Sequence, residues 1–325
     1  MNYRAPQWLP GGNLQTIFAA KLAQSYAGER PVFLRERWDT PDGDFIDIDW
    51  LAAKPKPMVE APLWVMFHGL EGSSSSHYAL ACADYARRQG IGFAVAHFRG
   101  CSGELNRAAR AYHSGDYEEI GWILQRFASW QRGPVYAIGI SLGGNALMRW
   151  AEEAGSSAGA TVRAVAAVCS PLDLAASGSA IGRGFNRQVY TRMFLRSMKP
   201  KALAKLKQHP GLFDARALMA AQDLYAFDNI FTAPLHGFKD TEDYWRRASA
   251  KPHLATVRVP ALLINARNDP FIPVNSLPAL HEVGQYVHLW QPDHGGHVGF
   301  AAGLAPGHLR TLPQVLGQWF DQYTR

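Results

Sequence analysis

Short apolar runs alternate with stretches of helical spacing along most of this 325-residue chain. The runs are continuous, which is typical of strands buried on both faces of a sheet. Strands that alternate with helices indicate an α/β fold, in which a mainly parallel central sheet carries helices on both faces. The predicted strands are 63–67, 93–98, 135–140, 162–169, 261–266 and 287–290, and the predicted helices are 78–89, 117–130, 143–154 and 309–323.

The two ends of this pattern differ from its middle. Residues 35–38 and 45–50 flank the turn Pro41-Asp42-Gly43-Asp44 and predict an antiparallel hairpin. The N-terminal stretch around Trp8-Leu9-Pro10-Gly11-Gly12-Asn13 shows no periodicity, so we expect it to wrap around the body of the protein without regular structure.

One long segment interrupts the alternation. Between about 175 and 255 the sequence has helical stretches and no convincing strand. An insertion of that size favours a helical cap over a loop. We therefore predict a core of residues 1–174 and 256–325 and an inserted cap of residues 175–255.

Composition restricts the class of protein. The hydrophobic fraction of 47% suits a globular chain, and the net charge of +6 comes from scattered Lys and Arg residues that are densest over 183–207. That scatter argues against nucleic-acid binding. Three cysteines without CxxC spacing predict neither a disulfide framework nor a zinc site. The same cysteine usage favours a reducing cytoplasm. With no apolar run near the ~18 residues of a membrane span, we expect no stable membrane insertion, and transient membrane contact stays open.

The motif Gly139-Ile140-Ser141-Leu142-Gly143 is the strongest chemical signal in the chain. It follows a buried strand and precedes a helix, which is the setting of a nucleophile elbow. Small residues at both ends of the motif allow the sharp turn that presents the serine hydroxyl. We predict Ser141 as a nucleophile.

An alkoxide attack on a carbonyl creates an oxyanion, which requires preorganised N–H donors. The backbone N–H of Leu142 is one expected donor, and the loop His68-Gly69-Leu70-Glu71-Gly72-Ser73 supplies Leu70 as the second. His68 ends a buried strand, which favours a structural role. Glu71 either contacts substrate or holds the loop, and the sequence does not separate these roles.

The acid and the base should follow the serine in the sequence. Asp269 comes directly after a buried strand and is the best acid, with Asp173 and Asp293 as alternatives. In His294-Gly295-Gly296-His297 the two glycines can present the second histidine, so His297 is the expected base and His294 its alternative.

These motifs together resemble the YheT family of α/β-hydrolases, which also includes eukaryotic abhydrolase-domain lipid esterases. The resemblance spans nearly the whole chain and implies a triad of Ser141, Asp269 and His297. It implies a carboxylic-ester hydrolase. The two-step acyl transfer of such a triad needs no metal or organic cofactor. Asn268 departs from the family pattern, in which another Asp is expected. The segments that carry the resemblance are 9–16, 68–73, 98–103, 112–115, 139–145 and 296–300.

We therefore predict a serine esterase that acts on small-molecule or lipid-like esters with short-to-medium acyl chains. Amide or thioester hydrolysis by the same triad, and a catalytically idle binding module, are the alternatives. Cys101 lies in a loop that could border the site, and a buried structural role is favoured over a reactive thiol.

Overall fold

A computed structural model describes residues 3–52 and 60–324. Within these residues eight strands form one sheet in the order β1-β2-β4-β3-β5-β6-β7-β8. β1 and β2 form an antiparallel hairpin, β2 pairs antiparallel with β4, and the other neighbours are parallel. The strands are β1 Phe33–Asp39, β2 Phe45–Leu51, β3 Leu63–Phe67, β4 Gly92–Ala96, β5 Val135–Ile140, β6 Ala164–Val168, β7 Ala261–Ile264 and β8 Val287–Trp290.

The mainly parallel sheet predicted from the sequence is confirmed. Three strands end one or two residues earlier than predicted, at Ala96, Val168 and Ile264. These are the carboxyl ends of parallel strands, where ligands bind in such sheets. The apolar run continues past the last paired residue because the first loop residues are also buried, as Cys169 and Ala266 are.

Twelve α-helices accompany the sheet in the described residues. They are α1 Gly12–Lys21, α2 His77–Gln89, α3 Tyr117–Trp130, α4 Leu142–Ala154, α5 Leu174–Ile181, α6 Gly184–Asn186, α7 Arg192–Gln208, α8 Ala215–Ala220, α9 Leu224–Phe227, α10 Ala233–Leu235, α11 Thr241–Ala248 and α12 Thr311–Phe320. A π-type turn over Arg187–Thr191 joins α6 to α7, so that 184–208 is one continuous helical segment.

The core lies on both faces of the sheet. Alternate residues of β3 point to opposite sides, so Val65 and Phe67 pack with α3 and α4 while Trp64 and Met66 pack with α2 and α12. Fully burying one large apolar side chain contributes about 1.5–3 kcal/mol. Packing on both faces therefore fixes the sheet whose edge carries Ser141.

No strand occurs among the described residues between β6 and β7, and the regular structure there is helical. These inserted helices, α5–α11, have an apolar cluster of their own that includes Leu195, Leu218, Phe227 and Phe231. The division of the chain into a core and a cap of residues 175–255 stays a prediction. None of the described helices combines the length and the apolar character that crossing a bilayer would require.

The N-terminal segment differs from our expectation, because residues 12–21 form helix α1. The residues that this helix buries are Gln15, Thr16 and Ala19, two of which are polar. An apolar stripe is the sequence signal for a packed helix, and this helix lacks one. Its buried polar groups make hydrogen bonds instead.

Candidate active site

Ser141 lies in the sharp turn between β5 and α4. Its backbone has φ 52° and ψ −119°, a conformation that costs energy for any residue with a side chain. A Cβ at position 139 would lie 2.4 Å from the Cα of Gly144, and one at 143 would lie 2.5 Å from the carbonyl oxygen of His68. Both positions therefore require glycine, as the motif predicts.

Ser141, His297 and Asp269 form a hydrogen-bonded chain. The Oγ of Ser141 lies 3.0 Å from Nε2 of His297, and Nδ1 of the same ring lies 2.8 Å from Oδ2 of Asp269. Because the carboxylate can only accept, Nδ1 carries the proton and Nε2 is free to accept from the serine. The structure thus brings together the three residues that the sequence selected, in the geometry of a nucleophile, a base and an orienting acid.

Asp269 is held by the turn that contains it. The side chain is buried, and its second oxygen, Oδ1, accepts the backbone N–H of Phe271 at 2.8 Å. The ring of Phe271 lies against the imidazole of His297, with centroids 4.2 Å apart. The turn therefore fixes the acid and supplies one wall for the base.

Helix α1 holds the loop that carries His297, a role that sequence reasoning missed. The backbone N–H of His297 donates to Thr16 Oγ1 at 2.8 Å, and that of Gly295 donates to Gln15 Oε1 at 2.8 Å. Thr16 also donates its hydroxyl proton to the carbonyl of Gly12. The motif Leu9–Thr16 could have indicated this role. Its polar residues do not belong to an amphipathic pattern, so another function was to be expected for them.

Asn268, which departs from the family pattern, also belongs to this arrangement. Its Nδ2 donates to Gln15 Oε1 at 3.0 Å, and its Oδ1 accepts the backbone N–H of Gly296 at 3.0 Å. An amide can donate and accept at once, whereas an ionised carboxylate can only accept. Asn268 therefore links α1 to the histidine loop.

The alternative acids and the alternative base lie elsewhere. Asp173 caps α5 by accepting the N–H of Ala176 at 3.0 Å. Asp293 and His294 are exposed, and the carboxylate of Asp293 lies 3.6 Å from the guanidinium of Arg267. None of the three makes a hydrogen bond to Ser141 or His297.

His68 is a buried structural residue. Its Nε2 accepts the N–H of Phe98 at 3.1 Å, so Nδ1 carries the proton and donates to the carbonyl of Gly69 at 2.8 Å. Burial lowers the pKa of His68 to about 3, which keeps the ring neutral. Both ring nitrogens therefore bind backbone, and the residue shapes the loop that follows β3.

The backbone N–H groups of Leu70 and Leu142 border the serine. Neither donates a hydrogen bond to another described residue, and both residues line the cavity that contains Ser141 and His297. A Cβ on Gly69 would lie 3.2 Å from the Cβ of Ser141, which shows how closely the loop approaches the nucleophile. Two unengaged donors beside a nucleophile can stabilise an oxyanion.

Glu71 connects the loop after β3 to the inserted helices. Its carboxylate lies 3.0 Å from Lys201 Nζ of α7 and 3.0 Å from the hydroxyl of Tyr112, which also accepts the N–H of Glu71. These contacts hold the loop, and Glu71 also lines the cavity that contains Ser141. Cys101 lies beside them, and burial raises the pKa of its thiol to about 12, which disfavours a reactive thiolate.

The cavity above Ser141 is lined mainly by apolar side chains. Several come from the inserted helices, among them Leu174, Ile181, Phe194, Met198, Phe227 and Phe231. Four other large apolar residues of the predicted cap lie instead on the surface, with 44–54% exposure: Phe185, Met193, Met219 and Tyr225. The large apolar residues of the inserted helices are therefore divided between the cavity and the surface.

Cationic groups also line the cavity. Besides Lys201, these are Arg99 and Lys205, and both are buried. Burial lowers the pKa of Lys205 to about 8. Each has partners in the protein: Arg99 pairs with Asp42, Asp44 and Glu119, and Lys205 donates to the carbonyls of Asn106 and Ala108.

Cys169 approaches the acid and the base. Its sulfur and one ligand atom each of Asp269 and His297 lie within 4.8 Å of one another, which resembles a small metal-ligand set. Burial raises the pKa of the thiol well above its usual value, and the thiol lies 3.7 Å from the carbonyl oxygen of Gly296, to which it can donate. The sulfur accepts the N–H of Val298 at 3.2 Å. The cluster therefore fits a thiol that supports the histidine loop better than a metal site.

Comparison with known proteins agrees with this geometry. Residues 62–303 match the family model described as the alpha/beta hydrolase fold. The chain is 36% identical over 291 residues to YheT of Escherichia coli (strain K12), described as a candidate esterase, covering 89% of this chain and 84% of that protein. It is 27% identical over 296 residues to the phospholipase ABHD3 of Mus musculus, covering 86% and 69%.

A solved structure is similar in fold. The esterase Pf2001 of Pyrococcus furiosus superposes with a TM-score of 0.54 at 14% identity, over 93% of this chain and 99% of that one. At that identity the likeness concerns the fold alone. The matched family model and the 36% identity to YheT show the relationship directly: the chain belongs to the YheT family of α/β-hydrolases.

Proposed function

We propose that this protein is a serine hydrolase that cleaves carboxylic esters through an acyl-enzyme intermediate. The observation that carries the proposal is the hydrogen-bonded chain Ser141–His297–Asp269 at the floor of a largely apolar cavity. The names of the two relatives, one a candidate esterase and one a phospholipase, support ester hydrolysis.

The first half of the reaction forms the acyl-enzyme. His297 Nε2 takes the proton from the Ser141 hydroxyl as its oxygen attacks the ester carbonyl. Asp269 stabilises the imidazolium that results. The N–H groups of Leu70 and Leu142 bind the oxyanion, and His297 then gives its proton to the leaving alcohol as the carbon–oxygen bond breaks.

The second half releases the acid. Water loses a proton to His297 as its oxygen attacks the acyl-enzyme, and the proton returns to Ser141 when the acyl group leaves. The small-molecule ester is the only partner that this sequence of steps requires.

The first prediction tests the nucleophile. Ser141→Ala should lower kcat/KM for p-nitrophenyl butyrate by about 10⁴-fold or more, because only the oxyanion donors and binding remain. A fluorophosphonate probe should label the wild type and not the variant. Ser177→Ala is the matched control, since Ser177 lines the same cavity, and it should still be labelled.

Each result of that experiment has a clear meaning. Labelling of Ser141→Ala would place the nucleophile elsewhere. An unlabelled wild type would favour an idle binding module.

To test the bond that is cleaved, kcat/KM should be compared for an oxyester, a thioester and an anilide of the same acyl group. A preference for the thioester or the anilide would replace the ester assignment and leave the triad intact.

A further inference from the structure

The helical segment 184–208 has two different faces. Its inner face contributes Phe194 and Met198 to the cavity above Ser141. Its outer face carries Phe185, Val189 and Met193, whose exposures are 54%, 36% and 48%. These three residues are four apart in sequence, so they form a ridge along successive turns.

All charged side chains of the segment are positive. Residues 183–208 contain eight Lys and Arg residues and no Asp or Glu. Among the described residues, the only ion pair that this segment makes joins Lys201 to Glu71. Arg192 and Arg196 are exposed beside the apolar ridge and have no partner there. The surface therefore combines exposed apolar groups with unpaired positive charge.

Neighbouring residues extend the same surface. The carbonyl of Met219 accepts a hydrogen bond from Lys199 of α7, which places this 52% exposed methionine beside the segment. The nearby carboxylates of Asp214 and Asp223 accept backbone N–H groups as helix caps. Isolated exposed apolar residues need no explanation, whereas a contiguous patch with a basic border marks an interaction surface.

We propose that the outer face of 184–208 docks on an anionic lipid bilayer. A helix with Phe and Met on its outer ridge and Arg on its flanks is the arrangement that lies in a bilayer interface. Unpaired guanidinium groups complement the negative surface potential of anionic lipids. Because the inner face of the same segment lines the cavity, docking would bring that cavity to the lipid surface. The proposal does not depend on the assigned ester chemistry.

The test is co-sedimentation of the full chain with vesicles. Vesicles of phosphatidylcholine alone should retain little protein, and vesicles that also contain phosphatidylserine should retain it. High salt should weaken this binding, because exposed charges are screened. Equal binding to both vesicle types, or no binding to either, would overturn the proposal.

Two double variants separate the two contributions. Arg192→Gln with Arg196→Gln should weaken binding to the anionic vesicles by roughly fivefold for each charge removed. Phe185→Ser with Met193→Ser should weaken it by about tenfold or more, because apolar area no longer enters the interface. Leu304→Ser with Arg310→Gln is the matched control, since it removes an exposed apolar residue and an exposed Arg elsewhere, and its binding should not change.

Two further measurements keep the result unambiguous. The thermal unfolding midpoint of the surface variants, followed by circular dichroism, should be close to that of the wild type, which shows that they fold. Sedimentation velocity without lipid reports self-association. If the wild type were a dimer that the surface variants dissociate, and vesicle binding were absent, the ridge would contact a second copy of this chain and the lipid proposal would fail.

Discussion

Strained backbone in this protein is concentrated around the candidate catalytic residues. Among the described residues, the non-glycine residues with positive φ are Glu71, Ser141, Cys169, Val298 and Phe300. One belongs to the loop with the proposed oxyanion donor, one is the proposed nucleophile, and three lie at or beside the histidine loop. Each such residue costs on the order of 1–3 kcal/mol. The surrounding packing offsets that cost and holds these residues in their strained conformations.

The second prediction concerns the acid. Asp269→Asn keeps the shape of the side chain, but its amide can favour the wrong tautomer of His297. We expect kcat to fall by about 10⁴-fold, the size of this effect in a serine protease triad. Asp173→Asn and Asp293→Asn are the controls, and both should retain most of the activity. A severe loss in Asp173→Asn with a mild one in Asp269→Asn would contradict the assignment.

At the level of elements, the sheet and its main helices were predictable because apolar periodicity reports burial directly. Helix α1 was not, because the groups it buries are the polar side chains of Gln15 and Thr16. Their partners belong to a loop about 280 residues away in sequence, as the separations of 280 and 281 show. The motif Leu9–Thr16 can signal that these polar residues have a role, but it does not identify their partners, so the support of the histidine loop becomes visible only in three dimensions.

The third prediction tests whether α1 positions the base. Thr16→Val removes the hydroxyl that accepts the His297 N–H and keeps the size of the side chain. A displacement of the imidazole should lower kcat by up to about 10²-fold and change KM little. Thr16→Ser restores the hydroxyl and should restore kcat. If Thr16→Val lowered only the melting temperature, the contact would be structural and not positioning.

The fourth prediction concerns a carboxyl group of the inserted helices. Asp228 accepts hydrogen bonds from Thr232 and Trp245, and burial raises its pKa from 3.8 to about 6. A folded-state pKa above the unfolded value means that the folded state holds the proton more tightly. Its contribution to stability is therefore full below about pH 4 and is lost as the pH rises through 6. The shift corresponds to at most about 3 kcal/mol, and water screens part of it because the residue is half-buried.

Asp228→Asn removes this ionisation. We expect the free energy of unfolding of the wild type to fall between pH 4 and pH 7 by more than that of the variant, measured by urea titration at both values. Thr232→Ser keeps the hydroxyl and serves as the control. Parallel pH profiles for wild type and Asp228→Asn would contradict the proposed cost of the buried charge.

At the scale of the whole molecule, the sequence predicted which residues would meet but not what surrounds them. Ser141, Asp269 and His297 follow three different strands, and their meeting follows from the common edge at which parallel strands end. Lys205 could not be foreseen in the cavity because it comes from an inserted helix, whereas Arg99 belongs to the loop 98–103, which was expected to border the site. Arg99 pairs with Asp44, and Lys205 donates to the carbonyl of Asn106, and these partners are also distant in sequence.

The last prediction concerns the acyl group that this cavity accepts. Its walls include Leu174, Phe194, Met198, Phe227 and Phe231, and the cationic groups among them are already bonded within the protein. An uncharged acyl chain therefore fits better than an anionic one, and the flexible methionine adapts to chains of different length. Each buried methylene should contribute up to about 0.8 kcal/mol, or nearly fourfold in kcat/KM, until the cavity is full.

The measurement is kcat/KM for the p-nitrophenyl esters from acetate through butyrate, hexanoate and octanoate to dodecanoate. We expect a rise over the short chains followed by a fall once the chain exceeds the cavity. Met198→Trp narrows the cavity and should move the maximum to a shorter chain, whereas Leu280→Ser, at an exposed site, should leave it in place. A profile that is flat or falling from acetate onward would rule out an apolar acyl site beneath the inserted helices.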